Sequence, residues 1–498
     1  VTKEGTKVDA KEDAKVDSKM SAPVMSPLDK AKAINEDLSK YGSFAEIGAG
    51  QEVARWFFRA GKASATVAKT MSAYDMVFSD AIYGAEENHR YVCESRLLSM
   101  LEKEYAHIEN RIWDLRGARS NFFVFADTVA SKSSRSNQSG HGWLGVRFQT
   151  EPLGPHNDVV IHVRMLDGTA LEQQEVLGVA GVNLIYGCFW HYRDPVRLME
   201  TLRDCLRRDQ IEIDMIRFDG PAFKNVDNCL MSLHLVRLGL TDAALISPEG
   251  ENLQPSEALY KKHLLIQRGR FRPVTNLHLD MLEAGKRQFL KDPAVKESDL
   301  VCLMEITLNN LLSDGKVDIH DFLARVNVLQ ALGHHVLISN YGEYYRFSEF
   351  LRKYSNAKVG LIMGVGHLNK IFDKSFYSNV HGGLLASLGL LFREDIKALI
   401  YPAHSLSTTM PSPEEKPAGL VPMITARSYE PAPELKHLYR YMYENHAIED
   451  IESPRLEMLS INSEKVLADI QKGVPGWEKF VPSVASKMIQ ERKLFRQS

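Results

Sequence analysis

Cysteine is scarce in this chain, and none of it is paired for chemistry. Cys93, Cys188, Cys205, Cys229 and Cys302 are scattered through 498 residues, odd in number and without a C-x-x-C spacing. That excludes a disulfide framework and a thiolate zinc site, and points to a reducing compartment, the cytoplasm or an organelle interior. Long apolar runs are missing too. The longest, Val176 to Trp190, is interrupted by Asn183 and by glycines and falls short of the ~20 residues a membrane span needs. It reads as a core helix, and no transmembrane segment is expected. Neither sign of charge dominates: a net charge of -3 and a pI near 6.7 give no electrostatic reason to expect nucleic acid or an anionic membrane as partner. The chain also lacks G-x-x-x-x-G-K-S/T, H-E-x-x-H, G-x-S-x-G and the protein-kinase motifs, which removes the P-loop, zincin, serine-hydrolase and kinase readings.

What is present is the composition of an ordinary globular protein, 44% hydrophobic and 25% charged, with length enough for two or three domains that each bury a core. Residues 1–27 repeat small Lys/Asp/Glu/Ala units (KVDAKEDAKVDSK) without an apolar h-region. They read as a flexible tail, the remnant expected behind a cleaved targeting peptide. The fold class expected is α/β. A mixed α+β domain with glycine-rich loops spans 28–297 and a doubly wound parallel-sheet domain spans 298–405. A linker or lid loop covers 406–430, and a helical extension closes the chain over 431–498.

Apolar residues at helical spacing (Leu97, Leu98, Leu101, Tyr105, Ile108, Ile112) predict a long amphipathic helix within Glu86 to Leu115. Strands near Trp143–Gln149 and Val159–Met165 pair as a hairpin. Gln210 to Phe218 reads as a half-buried strand, with Glu212 and Asp214 alternating against Ile211, Ile213 and Met215. From Asp299, strands at Leu300–Ile306, His335–Ser339, Val359–Met363 and Ala398–Tyr401 alternate with helices at Asp318–Leu332, Arg346–Tyr354 and Gly383–Phe392. That pattern predicts a parallel sheet with right-handed crossovers.

Phe44 to Gly84 holds the first candidate site. Gly48-Ala49-Gly50 leads into a helix-like segment, Gln51 to Ala60. Gly61 to Thr66 leads into a second one carrying Lys69, Thr70, Ser72 and Asp75. Small-residue loops before helices let backbone N–H groups approach a phosphate, so Gly48, Gly50, Lys62, Thr66 and Lys69 form a candidate anion loop. Two other readings stay open: a dinucleotide fingerprint with Val53 in place of its third glycine, and tight backbone packing that needs small residues.

In a parallel sheet, ligands bind beyond the carboxyl ends of the strands. That rule selects Glu305 with Asn309, Ser339 with Asn340, Gly364 with His367, and Pro402 with His404; the competing role for each is a helix cap or turn former. Glu305 and His367 are the acid/base candidates. Arg268, Arg270 and Arg272 alternate, so an extended chain would set three guanidiniums on one face to grip phosphate; a charge-protected strand edge is the alternative. Asp127, Glu212, Asp214 and Asp219 are strand acids able to bind Mg²⁺ through oxygen ligands. His141 in Gly140-His141-Gly142 and His162 inside an apolar strand read as structural.

Several long blocks carry a resemblance: TVAKTMSAYDM (66–76), RYVCESRLLSML (90–101), RFDGPAFKNVDNCLMSLHLVRLGLTDA (217–243), QPSEALYKKHLLIQRGRFRPVT (254–275), VLISNYGEYYRFSEFLRKY (336–354) and GGLLASLGLLF (382–392). Together they resemble a largely uncharacterised family of soluble bacterial proteins of about this length, over most of residues 44–402. Its members bear the labels "TonB-dependent receptor" and "nicotinate-nucleotide adenylyltransferase". An outer-membrane receptor needs many amphipathic strands, and an adenylyltransferase shows an H-x-G-H turn whose nearest strings here are Gly140-His141-Gly142 and Gly333-His334-His335. Lys62 and Ser64 stand where the family's form is richer in glycine. The resemblance implies one coherent architecture.

The functional expectation is an enzyme or binding protein for a phosphorylated small molecule or nucleotide, held in the cleft between the two parts and neutralised by Arg268, Arg270, Arg272, Lys62 and Lys69. A second expectation is a non-catalytic homo-oligomer or filament subunit with glycine-rich contacts. A third, implied by the family label, is a nucleotidyltransferase of NAD metabolism.

Overall fold

A computed structural model describes residues 24–86, 90–132, 140–313, 316–393, 395–404, 423–452 and 454–496. The tail expected over 1–27 and the loop expected over 406–430 lie mostly outside the described residues, as does most of the polar stretch Ser131 to Gly140. The protein is α/β, built on a six-stranded and an eight-stranded sheet.

The first sheet comprises β1 (Lys40–Gly48), β2 (Val67–Ala73), β3 (Asn121–Ala130), β4 (Gly140–Gln149), β5 (His156–Met165) and β6 (Ile211–Asp219). Their order is β2-β1-β3-β4-β5-β6. β1 runs parallel to β2 and β3, and the remaining pairs are antiparallel. Its helices are α1 (Pro27–Glu36), α2 (Val53–Ala60), α3 (Met76–Tyr83), α4 (Glu94–Arg116), α5 (Ala170–Trp190) and α6 (Pro195–Thr201).

α5 is the apolar run read from sequence. Thr169 and Glu172 close a reciprocal capping box at its start, which satisfies two of the orphan donors of a helix N-terminus. Its side chains pack with Phe44, Phe123, Phe125 and Phe148 on one face of the sheet, and each buried ring contributes about 1.5–3 kcal/mol. α4 covers the other face through Leu97, Met100, Leu101 and Tyr105. The segment carrying Lys69 and Thr70, expected as a helix, is instead the edge strand β2. Parallel pairing of residues 67–73 with β1 satisfies its backbone, and such tertiary pairing overrides the modest helix preference of Ala, Lys and Met.

The second sheet begins before residue 298. After α7 (Asn228–Arg237) come β7 (Ala243–Ile246), β8 (Asn252–Leu253), α8 (Pro255–Ala258), β9 (His263–Arg268), α9 (Asn276–Phe289) and β10 (Leu300–Thr307). A ribbon of β11 (Leu312–Ser313) and β12 (Lys316–Val317) precedes α10 (Ile319–Ala331), β13 (His335–Ser339), α11 (Tyr344–Tyr354) and β14 (Val359–Gly364). Next are α12 (Gly366–Ile371), α13 (Gly383–Leu391), β15 (Ile396–Tyr401), and the ribbon β16 (Ala403–His404) with β17 (Met423–Ile424). The chain closes with α14 (Lys436–Glu444), β18 (Ile448–Asp450), α15 (Ser463–Lys472) and α16 (Ser483–Arg492).

The strand order is β18-β15-β14-β9-β10-β13-β7-β8, with all pairs from β18 to β13 parallel. Counted from β9, the parallel strands follow 3-2-1-4-5-6, the doubly wound order whose winding reverses between its first and fourth strands. Helices α9, α10, α15 and α16 pack on one face and α11, α13 and α14 on the other. The expected helical extension also supplies a strand: β18 pairs with β15.

Candidate functional site

At the carboxyl edge of the eight-stranded sheet, the strand-end rule brings Glu305, Ser339, His367 and Arg268 into one neighbourhood. Glu305 is fully buried on β10. Arg268, in register with it on β9, donates from Nε at 2.6 Å and Nη2 at 3.2 Å, and the Ser339 hydroxyl donates at 2.5 Å. Arg268 also donates to the Gly342 carbonyl and stacks 4.5 Å from the Tyr344 ring, whose opposite neighbour is His367 at 6.2 Å. Burial, with Lys370 and Arg268 nearby, pushes His367 down to about 4. The carboxylate is thus occupied by a guanidinium and a hydroxyl, and the imidazole is neutral at pH 7. Asn340 is exposed, its amide bonded to the Asp242 carbonyl.

The three arginines do not share a face as an extended chain would place them. The chain bends after Arg268, with Phe271 at a positive φ of 47°. Arg270 and Arg272 line a separate cavity of about 300 Å³, beside Asn310, Asp321, Arg325 and Glu464. There Arg272 pairs with Asp321 at 2.5 Å, Arg325 pairs with the same carboxylate, and Arg270 lies 3.6 Å from Glu464.

The glycine-rich loops do not join these arginines. Gly48 has φ +76° and sits against β3, where a Cβ would lie 2.2 Å from the Val129 carbonyl oxygen; at Gly50 it would lie 2.0 Å from Asp127 Oδ1. The α2 N-terminus is already occupied by a carboxyl group, since Val53 N–H donates to Glu46 Oε1 at 2.9 Å. Thr66 is fully buried. Lys62 pairs with Glu36 at 2.9 Å, and Lys69 with the buried Glu104 at 2.5 Å.

The largest described cavity, about 800 Å³, lies between the two sheets. Its walls come from both: His141 on β4 and Arg164 on β5, then Glu257 after β8 and Arg352 and Lys353 on α11, with Arg90 ahead of α4. Arg164 donates to Glu212 at 3.2 Å and to the Tyr354 hydroxyl at 3.1 Å, so it also ties the sheets together. Arg352 donates to the Ala357 carbonyl at 2.6 Å. Arg90 and Lys353 are exposed. Burial raises the Glu257 carboxyl, the one carboxylate among the described lining residues.

Behind His141, expected from sequence to be structural like His162, runs a hydrogen-bonded chain. His141 Nδ1 lies 3.2 Å from His162 Nε2, and His162 Nδ1 lies 2.6 Å from Asp214 Oδ1. His162 and Asp214 are each 1% exposed, and the Gln254 amide approaches Asp214 Oδ2 at 3.4 Å. Trp143 packs edge-on against His162 at 4.9 Å.

The strand geometry explains the convergence. His162 opposes Met215 on β6, but Val163 opposes Ile213, so Asp214 is the extra residue of a β-bulge. A bulge re-aims a side chain, here turning Asp214 toward His162. The sequence carries the trace: apolar positions 211 and 213 keep one phase, while 216 and 218 keep the other, with Met215 and Ile216 adjacent at the slip.

No protein-family model matches this chain, and no curated protein does. Solved structures match over about a third of it. The competence/damage-inducible protein CihA from Agrobacterium tumefaciens matches at 18% identity, covering 33% of this chain and 93% of that one, with a TM-score of 0.22. A competence or damage-inducible protein from Enterobacter asburiae matches at 13% identity over 32% and 95%, with a TM-score of 0.25. A CinA superfamily protein from Enterobacter cloacae matches at 10% identity over 35% and 99%, with a TM-score of 0.26. TM-scores this low carry no argument about fold or function.

The acids expected as Mg²⁺ ligands are dispersed. Asp127 lies beside Glu46, Glu212 pairs with Arg164, Asp214 holds His162, and Asp219 accepts from the Gly220 amide. Among the described residues no group of three or more His, Cys, Asp or Glu is placed to hold a metal ion.

Proposed function

We propose that the protein binds a phosphorylated small molecule or nucleotide in the cleft between its two sheets, as an enzyme or binding protein. The observation that carries this reading is the cleft's charge: Arg90, Arg352 and Lys353, with Arg164 already paired to Glu212, line a cavity of about 800 Å³ in which Glu257 is the one carboxylate among the described lining residues. That volume suits a small ligand, and guanidinium groups recognise phosphate bidentately. The basic residues expected from sequence, Arg270 and Arg272 above all, line a smaller cavity in which Asp321 already neutralises two arginines.

Isothermal titration with sodium pyrophosphate tests the reading. Each charge-assisted contact is worth about 1.5–3 kcal/mol, so Arg90→Ala and Lys353→Ala should each weaken binding about tenfold or more. Unchanged affinity in both variants overturns the cleft, and loss in Arg270→Ala/Arg272→Ala instead moves the site to the smaller cavity beside Asp321.

A second reading, a homo-oligomer without catalysis, has its own observation. Edge strand β2 leads into Tyr74, Met76, Val77 and Phe78, exposed by 79%, 55%, 76% and 58%. Clustered apolar exposure beside an unpaired strand edge marks a contact surface.

A further inference from the structure

We infer that Asp214, His162 and His141 form a carboxylate–imidazole–imidazole relay that makes His141 the general base of the cleft, acting on a hydroxyl group or water held beside the bound anion. The inference deepens the cleft reading and rests on it for the nature of the ligand alone.

The relay uses one tautomer assignment, which fits both short contacts. Asp214 accepts at 2.6 Å from His162 Nδ1–H, so His162 Nε2 carries a lone pair. His141 Nδ1–H donates to that lone pair across 3.2 Å. His141 Nε2 is then the basic nitrogen, on a ring that lines the cleft. When Nε2 takes the proton of an O–H group, the oxygen keeps the bonding pair and becomes the nucleophile or leaving oxyanion. The Nδ1 proton can pass to His162 Nε2, which places the positive charge next to Asp214, while Asp214 stays ionised. Gln254 and the Trp143 ring hold the inner pair in place.

Three features make a purely structural role insufficient. A buried histidine needs one partner for each nitrogen, and a backbone carbonyl would serve. Here the second partner is another imidazole, and a β-bulge supplies the carboxylate. The chain of bonds ends at the largest described cavity, where the outer ring meets Arg90, Arg164 and Glu257. Burial lowers His141 to about 4, and a charge on His162 would lower it further, so the resting ring is unprotonated at pH 7.

Diethylpyrocarbonate labelling of the full-length protein, read residue by residue by peptide mass spectrometry, tests the relay. His141 Nε2 bonds to a carbonyl carbon, ethyl carbonate leaves, and the Nδ1 proton moves to His162. His141 should react faster than the exposed His107 and His446, and about tenfold slower in Asp214→Asn and His162→Gln. The glutamine can still accept from His141 Nδ1 but cannot pass the proton on. A low-field proton resonance from the His162 Nδ1–H should be present in the parent and in His141→Ala, and absent from Asp214→Asn and His162→Gln.

Ordinary reactivity of His141, or a rate indifferent to the folded variants, overturns the relay. Sodium pyrophosphate separates the two claims. If it fails to protect a fast, relay-dependent His141, the anion reading falls and the relay stands. If it protects a His141 whose rate ignores residues 162 and 214, the relay falls and the anion reading stands.

Discussion

Two buried carboxyl groups show how much one residue's surroundings decide. Glu46 and Asp127 are in register on neighbouring strands β1 and β3, 4% and 0% exposed. Glu46 accepts from the α2 amide of Val53. Neither oxygen of Asp127 has a partner of good geometry, and the Ile47 amide is the one donor near enough to favour its charged form at all. Burial raises Glu46 to about 7 and Asp127 well above its usual range; the Glu46 charge adds to the rise at Asp127, and Glu52 adds to that at Glu46. Both groups hold protons more tightly folded than unfolded. Stability is therefore fully present below the unfolded carboxyl range and is lost as pH rises through about 7. Asp127→Asn should remove a carboxyl that must ionise in a buried site and so flatten that decline, with about 1–3 kcal/mol more retained at pH 8 than in the parent. Urea unfolding at pH 5 and pH 8 measures it; equal slopes in the two proteins would reject the burial penalty at Asp127. Glu305 is the contrasting case. Its strand-end position was legible in the sequence, but its partner Arg268 lies on another strand, and only sheet pairing makes them neighbours.

At the scale of the element, the glycine loop after β1 is a packing device. Gly50 lies on the Asp127 carboxylate and Gly48 on the Val129 carbonyl, so the loop's small residues let β1 and β3 run side by side into α2. Gly50→Ala should cost about 1–3 kcal/mol through overpacking against the buried Asp127 carboxyl. Gly61→Ala, at a positive φ that Gly50 does not share but with open space around it, should cost only about 1 kcal/mol. Thermal and urea unfolding distinguish the two, and equal losses would reject the close approach at Gly50 as the larger cost. The sequence showed that small residues were needed there. It did not show whether a phosphate or a neighbouring strand required them, because the two needs select the same residue. The bulge in β6 is similar: its slip in apolar phase is visible in the sequence, but its consequence depends on which strand lies opposite.

For the whole molecule, the open question is what meets the exposed edge of the first sheet. If a second copy covers Tyr74, Met76, Val77 and Phe78, multi-angle light scattering should give a multiple of the 56.2 kDa chain mass. Val77→Glu/Phe78→Glu should then return it to a single chain. A parent already monomeric rejects the oligomer reading. Among the described residues no helix is long and apolar enough to cross a membrane, in line with the broken apolar run of α5. All five cysteines are free, as their spacing suggested.

The sequence by itself determined the α/β class, the alternation of strands and helices after residue 298, the core helix α5 and the strand-end residues of the second sheet. These follow from periodicity, capping and turn chemistry, which act over a few residues. The tertiary structure alone decided that β9 is the central strand, that residues 448–450 complete the sheet, and that the arginines after β9 part company. It also decided that His141, His162 and Asp214 meet. Those three are separated by 21 and 52 positions in the chain, and contacts at that separation depend on sheet register and a bulge, which local pattern does not encode.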